Sequence, residues 1–367
     1  MSREQSASLS TLLPERVSAA IEAAGGWLPF DRFMALALYA PGLGYYARDD
    51  RQFGRFPGSG SDFVTAPELS ALFGQCLALQ VHQALEASES AQLWEFGAGS
   101  GALAEQLLGA LGSRVERYHI VDLSGTLRAR QARRLQPWLD RITWLDQWPA
   151  VMQGVVVGNE VLDAMPVQLL HWDGKVWHER GVVSDGAGGF AWRDRPTALR
   201  PPPGREAFVP GTVTEIHLHG EAFVRSLAER LQRGAAFFID YGFPEHEYYH
   251  PQRLQGTLMC HRAHRADDDP LSDIGAKDIT AHVNFSGLAL AAQDAGLEVL
   301  GYTSQARFLL NCGLPERLQA ASARERADAQ KLINEHEMGE LFKVIGFARG
   351  VTFDAIGFTA GDRSHTL

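Results

Sequence analysis

The segment Leu93-Trp-Glu95-Phe-Gly97-Ala98-Gly99-Ser-Gly101 constrains this chain more than any other. Residues 92–96 read as a short strand and 102–111 as a helix, so three glycines stand at a strand-to-helix turn. Glycine there lets the backbone approach a ligand, and the helix start offers unpaired N–H groups. Strand and helix then alternate. Residues 117–121, 142–145, 154–158 and 235–241 read as strands, and 127–135 and 221–232 as helices. This order predicts an α/β fold with a parallel sheet covered on both faces.

Acids follow the strands. Glu95 sits two residues before Gly97, where it would repel the pyrophosphate of NAD or FAD, although Gly97 to Ala102 satisfies their G-x-G-x-x-G/A fingerprint. It suits a ligand carrying an ammonium and a sulfonium, which is S-adenosylmethionine. The backbone of Gly97, Ala98 and Gly99 would cradle it. Asp122, with Leu123 and Ser124, ends the next strand where ribose hydroxyls are bound. Asp146 and Gln147 end the third, in reach of an adenine amino group. The fourth ends in Asn159-Glu160-Val-Leu-Asp163-Ala-Met-Pro166. Glu160 and Asp163 are three apart, so one turn puts both on one side, suited to clamping a guanidinium or an amide.

The first 90 residues read as a helical region. In it Thr65-Ala-Pro67-Glu68 is predicted to form a capping box opening a helix of about twenty residues. The Gly-rich loop 53–65 is expected to fold over the cofactor as a lid, which brings Thr65 and Pro67 to the ligand. Residues 91–367 form the core. Two parts interrupt it: an antiparallel insertion at 167–212, with an Asp173-Gly174 hairpin turn, and a substrate-side segment at 243–285 that reads as irregular to about residue 278. His217 and His219 are expected on one face of a strand.

The chain has 367 residues and a net charge of -10, which argues against a general nucleic-acid binder. Its three cysteines show no paired spacing, so neither a disulfide framework nor a cysteine metal site is expected. The start lacks an apolar signal segment and no membrane-spanning run occurs, so a cytoplasmic protein is expected.

Several strings resemble the MidA-type family of class I S-adenosylmethionine-dependent methyltransferases, which includes a mitochondrial assembly factor for respiratory complex I. They are Tyr39-Ala-Pro-Gly-Leu-Gly-Tyr-Tyr46, Asp62-Phe-Val-Thr-Ala-Pro-Glu-Leu-Ser70, Glu95 to Gly101, Asn159 to Pro166, Ile239-Asp-Tyr-Gly242, Asp278-Ile-Thr-Ala-His282-Val-Asn-Phe285 and Phe342-Lys-Val344. The resemblance implies a seven-stranded Rossmann-like core, S-adenosyl-L-methionine as cofactor, and methyl transfer to an arginine of a protein, a respiratory-chain subunit in the mitochondrial member; the histidine spacings 246/250 and 261/264 lack a matching third ligand, so no metal is expected. Glu160 and Asp163 are then the acceptor carboxylates. A nicotinamide- or flavin-dependent oxidoreductase and an assembly chaperone retaining the pocket are the alternative readings.

Overall fold

The computed structural model describes residues 3–47, 64–122, 125–202, 208–262 and 265–367. The alternating pattern builds one central sheet. Its main strands, labelled in chain order, are β1 (Gln92–Phe96), β2 (Arg117–Val121), β3 (Ile142–Leu145), β4 (Met152–Asn159), β5 (Leu231–Phe243), β6 (Glu298–Ser304) and β7 (Phe342–Arg349). They lie in the order β6-β7-β5-β4-β1-β2-β3. Pairing from β5 to β3 is parallel, and β7 runs antiparallel to both neighbours. The two-residue strand Val283–Asn284 adds to the end of β5, so among the described residues the sheet has eight strands, one more than the resemblance implies.

The central strands are apolar on both faces because both faces are covered. In β5, Ala235, Phe237 and Ile239 join one core, while Ala236 and Phe238 join the other. The β4 strand alternates likewise, Val155 and Val157 against Val156. A fully buried Phe of this kind contributes about 1.5–3 kcal/mol. Helices Ala71–Ser88 and Ala102–Leu111 cover the first face. Helices Leu218–Arg230 and Phe285–Asp294 cover the second.

The insertion is a separate antiparallel sheet. Strands Gln168–Trp172, Trp177–Ser184, Phe190–Pro196 and Val213–Ile216 join the short Leu28–Pro29. Its hairpin loop is closed by Asp173, whose Oδ1 accepts from the N–H groups of Lys175 and Val176. Leu13, Val17 and Phe33 of the N-terminal helices share a core with Val167, Leu169 and Val182, so the two regions stabilise each other.

The structure departs from the sequence reading in four places. The helix expected after Thr65 is broken at Ser70 into Ala66–Leu69 and Ala71–Ser88. Thr65 makes no side-chain cap, because Glu68 turns instead to Ser100 and Arg134. Residues 242–278 are not all irregular: Met259–Arg262 pairs with Arg265–Asp267 and with Asp278–Thr280. His217 is buried at the start of a helix and His219 lies within it, so neither is on a strand. Helices Gln305–Asn311, Leu314–Ala320 and Ala323–Ile333 fill a stretch with no assignment from the sequence.

Buried Glu215 fastens the 243–285 segment to the insertion. Its Oε1 accepts from the N–H groups of Thr257 at 2.8 Å and Leu258 at 3.0 Å, and its Oε2 from the Tyr248 hydroxyl at 3.0 Å. Gly256 lets the chain turn past it at φ +68, where a Cβ would meet Glu215 Oε1 at 2.3 Å. Glu215→Ala orphans all three donors and is expected to cost about 2–4 kcal/mol, read as a lower urea midpoint. An unchanged midpoint would refute this role.

Candidate active site

Parallel register brings the carboxyl ends of five adjacent strands to one edge of the sheet, and a cavity of about 1060 Å³ opens there. It is lined by Glu95, Gly97, Ala98 and Gly99 from the β1 end, Asp122 from β2, Asp146 and Gln147 from β3, and Asn159, Glu160 and Asp163 from β4. Thr65 and Pro67 reach it from the N-terminal region. The structure therefore gathers these sequence-predicted residues. Leu123 and Ser124 lie outside the described residues, as does nearly all of the loop 53–65.

At the glycine turn, Gly97, Gly99 and Gly101 all have positive φ, at +64, +52 and +82. A Cβ on Gly97 would approach Val161 Cγ2 to 3.0 Å, so the turn is kept thin on its inner side. A hydrogen-bonded network holds it. Buried Gln131 donates to Gly99 O and to Asp122 Oδ2, both at 3.0 Å, and accepts from Trp144 Nε1 at 2.9 Å. Arg134 bridges Glu68 and Glu105, each at 2.7 Å, and donates to Ser100 at 2.9 Å. That network ties the short helix carrying Pro67 to the turn. Glu95 is buried beneath, its Oε2 accepting from Tyr118 at 2.7 Å. Burial pushes its carboxyl up to about 8, opposed by the Tyr118 bond and reinforced by Asp122.

Asp146 and Gln147 are exposed at the rim. Behind them Trp148 packs on Phe96 at 4.6 Å and on Phe223 at 5.0 Å, and all three line the cavity. This aromatic wall suits a purine face, and Trp148, next to Gln147, is the part of it adjacent in sequence to a predicted residue.

The other end of the cavity is built from parts distant in sequence. Tyr39 stacks on Tyr46 at 5.6 Å, and the Tyr46 hydroxyl donates to both oxygens of Asp278 at 2.9 Å. The Tyr241 hydroxyl donates a short hydrogen bond to Asp163 Oδ2. His282 lines the same end, stacked on Phe243 and edge-on to Tyr241. Burial lowers its pKa to about 4, so the ring is neutral. Three buried oxygens of cavity-lining residues, Asn159 Oδ1, Asp163 Oδ1 and Thr280 Oγ1, have no hydrogen-bond partner among the described residues. Burial raises Asp163 to about 6, opposed first by the Tyr241 bond and then by the nearby backbone N–H groups of Ala164 and of Asp163 itself. Burial, and then the charge of Asp163, raise Glu160 to about 8, while hydrogen bonds from Asn159 and the Ala66 N–H oppose this.

These features fit S-adenosyl-L-methionine. Six carboxylates line the cavity (Glu95, Asp122, Asp146, Glu160, Asp163 and Asp278), and no Lys or Arg does so among the described residues. Such a lining favours an ammonium and a sulfonium and disfavours a pyrophosphate. The glycine turn would take the amino-acid part, Asp122 the ribose and the Asp146–Trp148 side the adenine. Among the described residues no group of three or more His, Cys, Asp or Glu is placed to hold a metal, and no helix is long and apolar enough to cross a membrane.

The comparisons agree with this geometry. The family model of S-adenosyl-L-methionine-dependent methyltransferases matches residues 76–303. A crystal structure from Burkholderia thailandensis, bound to S-adenosyl-homocysteine, is 51% identical over 100% of this chain and 99% of its own, with a TM-score of 0.95. The zebrafish protein arginine methyltransferase NDUFAF7, mitochondrial, is 28% identical over 87% of this chain and 83% of its own length. The mouse protein of that name is 28% identical over 84% and 78%. The mitochondrial names overturn the cytoplasmic expectation, which rested on composition and on the look of the first residues.

Asp122 is held by Gln131 with its carboxylate toward the cavity. Asp122→Ala is expected to weaken S-adenosylhomocysteine binding by about 1.5–3 kcal/mol. Calorimetry on the folded variant checks this, and unchanged affinity would remove Asp122 from the cofactor site.

Proposed function

The chain belongs to the S-adenosyl-L-methionine-dependent methyltransferase family matched over residues 76–303, and on that premise we propose that its acceptor is an arginine of a protein. The observation that carries the proposal is Asp163 Oδ1, a buried carboxylate oxygen with no partner among the described residues, in a cavity lined by six acids. A planar guanidinium offers five donors and stays charged, so it meets such an oxygen well. Tyr39, Tyr46 and Tyr241 supply aromatic surface at the same end of the cavity. Relatives named as protein arginine methyltransferases support the reading.

The cofactor, when bound, supplies a methyl group on a sulfonium that leaves readily. The chain's own residues must position the acceptor, exclude water and accept a proton, because an arginine nitrogen loses one proton for each methyl it gains. In this reading Asp163 Oδ1 holds charge on one nitrogen and receives that proton. Its Oδ2 is already fixed by Tyr241. Glu160 acts beside it. Its oxygen accepts from Asn159 Nδ2 at 2.9 Å, and it also meets the Ala66 N–H, so it connects the acceptor turn to the helix carrying Pro67.

Labelled S-adenosylmethionine incubated with a cell extract and this protein is expected to place label on protein arginine; label on another residue type would overturn the proposal. In that assay Asp163→Asn and Glu160→Gln are expected to lower transfer about a hundredfold, about 2.7 kcal/mol. They should leave S-adenosylhomocysteine affinity within about threefold. A collapse of affinity would make them cofactor ligands instead. Transfer should also rise with pH as Asp163 ionises near 6 and Glu160 near 8, and a profile flat across that range would contradict the charge argument.

A further inference from the structure

Asp240 ends the buried apolar run of β5 and has no exposed surface. Its Oδ2 accepts from three consecutive backbone N–H groups, those of Val161 at 3.1 Å, Leu162 at 2.8 Å and Asp163 at 3.2 Å. Its Oδ1 accepts from the Tyr241 N–H at 2.9 Å. The Tyr241 side chain then holds Asp163. Just before the turn, Glu160 is held in the left-handed region at φ +53, and its N–H donates to Ile239 O at 2.9 Å. One strand end thus fixes both the backbone and a side chain of the turn that carries Glu160 and Asp163.

Three converging N–H groups need an acceptor oxygen, which a neutral amide also supplies. A carboxylate is costly here. It is the third at one turn, in a place with little water, and like charges there raise one another's pKa. Burial, then Asp163, then Glu160 push Asp240 well above the usual carboxylate range, against the pull of the backbone N–H groups. Other ionisable groups around the turn are Tyr39, Tyr46 and Tyr241, Asp278, neutral His282, and Lys343, which pairs with Asp240 across the strands but sends its ammonium to the Glu340 carbonyl.

We propose that Asp240 is a positioning residue for methyl transfer, holding the backbone of residues 161–163 and, through Tyr241, the Asp163 carboxylate in the cavity wall where a cationic acceptor would meet them. The arginine reading above enters only through the identity of that cation.

Two variants of the full chain separate geometry from charge. Asp240→Asn keeps an oxygen for the three N–H groups and removes the charge; Asp240→Ala removes both. Amide exchange at 161–163 should stay within about threefold of wild type in the Asn variant and accelerate at least about tenfold in the Ala variant. Without ligand, wild-type Tm should fall between pH about 5 and 8, because carboxyls with raised pKa hold more protons folded than unfolded in that window. Asp240→Asn should flatten this fall and leave S-adenosylhomocysteine affinity within about threefold. In the extract assay the Ala variant should lose at least about a hundredfold in transfer, and the Asn variant, which keeps an acceptor for the three N–H groups, should stay within about threefold of wild type. Unchanged exchange in the Ala variant, an Asn Tm curve merely displaced in parallel, or transfer in the Asn variant as low as in the Ala variant would overturn the proposal and leave a structural cap. If the Ala variant fails to fold, the pH curves of the Asn variant decide. Label on a residue other than arginine, with exchange and Tm as expected, would overturn the acceptor reading and leave Asp240's role standing.

Discussion

The parallel ladder from β5 to β3 is the constraint on which the rest depends. Parallel pairing sends five strand ends to one edge, and the ladder satisfies the backbone up to that edge and no further. Beyond it the chain must turn, and each turn exposes polar groups at the same place. The acids at the ends of β1 to β4 therefore converge although the strand ends that carry them are well apart in sequence. Their place at a buried edge carries a cost: burial raises the pKa values of Glu95, Glu160 and Asp163, and the neighbouring charges of Asp122 and Asp163 add to the rise at Glu95 and Glu160. A cationic ligand offsets that cost, so the fold and the ligand class are linked by charge.

The two ends of the cavity are built differently. The cofactor end belongs to the core sheet: a glycine turn, Asp122 locked by Gln131, and an aromatic wall at Trp148. The acceptor end is assembled from the N-terminal helices, the 259–280 sheet and the end of β5. Glu215 and the shared apolar core of the N-terminal region and insertion hold those additions in place. Under the proposed function, acceptor choice would lie with residues outside the core, in line with the general separation of a fold from the site grafted onto it.

What could be read in sequence was what depends on local order. The βα alternation, the glycine turn and the acids after each strand are short-range patterns, and the structure places them as expected. Gln131, Asp240, Tyr46 and Asp278 were not assigned roles because their partners are remote: Asp240 meets residues nearly eighty positions earlier, and Tyr46 meets Asp278 across 232. Asp240 did leave a signal, an acid ending a run of five buried apolar residues. The expected Thr65 capping box failed for a related reason, since Glu68 is drawn away by Arg134 and Ser100 from other elements. The 259–280 sheet was missed because its strands are only three or four residues long, below the length at which alternation is legible.

The central claim is that this anionic cleft holds the cofactor at its glycine turn and a guanidinium against Asp163. The most direct test is a crystal structure of this chain with S-adenosylhomocysteine and an arginine amide. The account predicts the guanidinium within hydrogen-bond distance of Asp163 Oδ1, with the cofactor's ribose on Asp122. Finding the cofactor's ammonium on Asp163 Oδ1, with the guanidinium elsewhere, would contradict it.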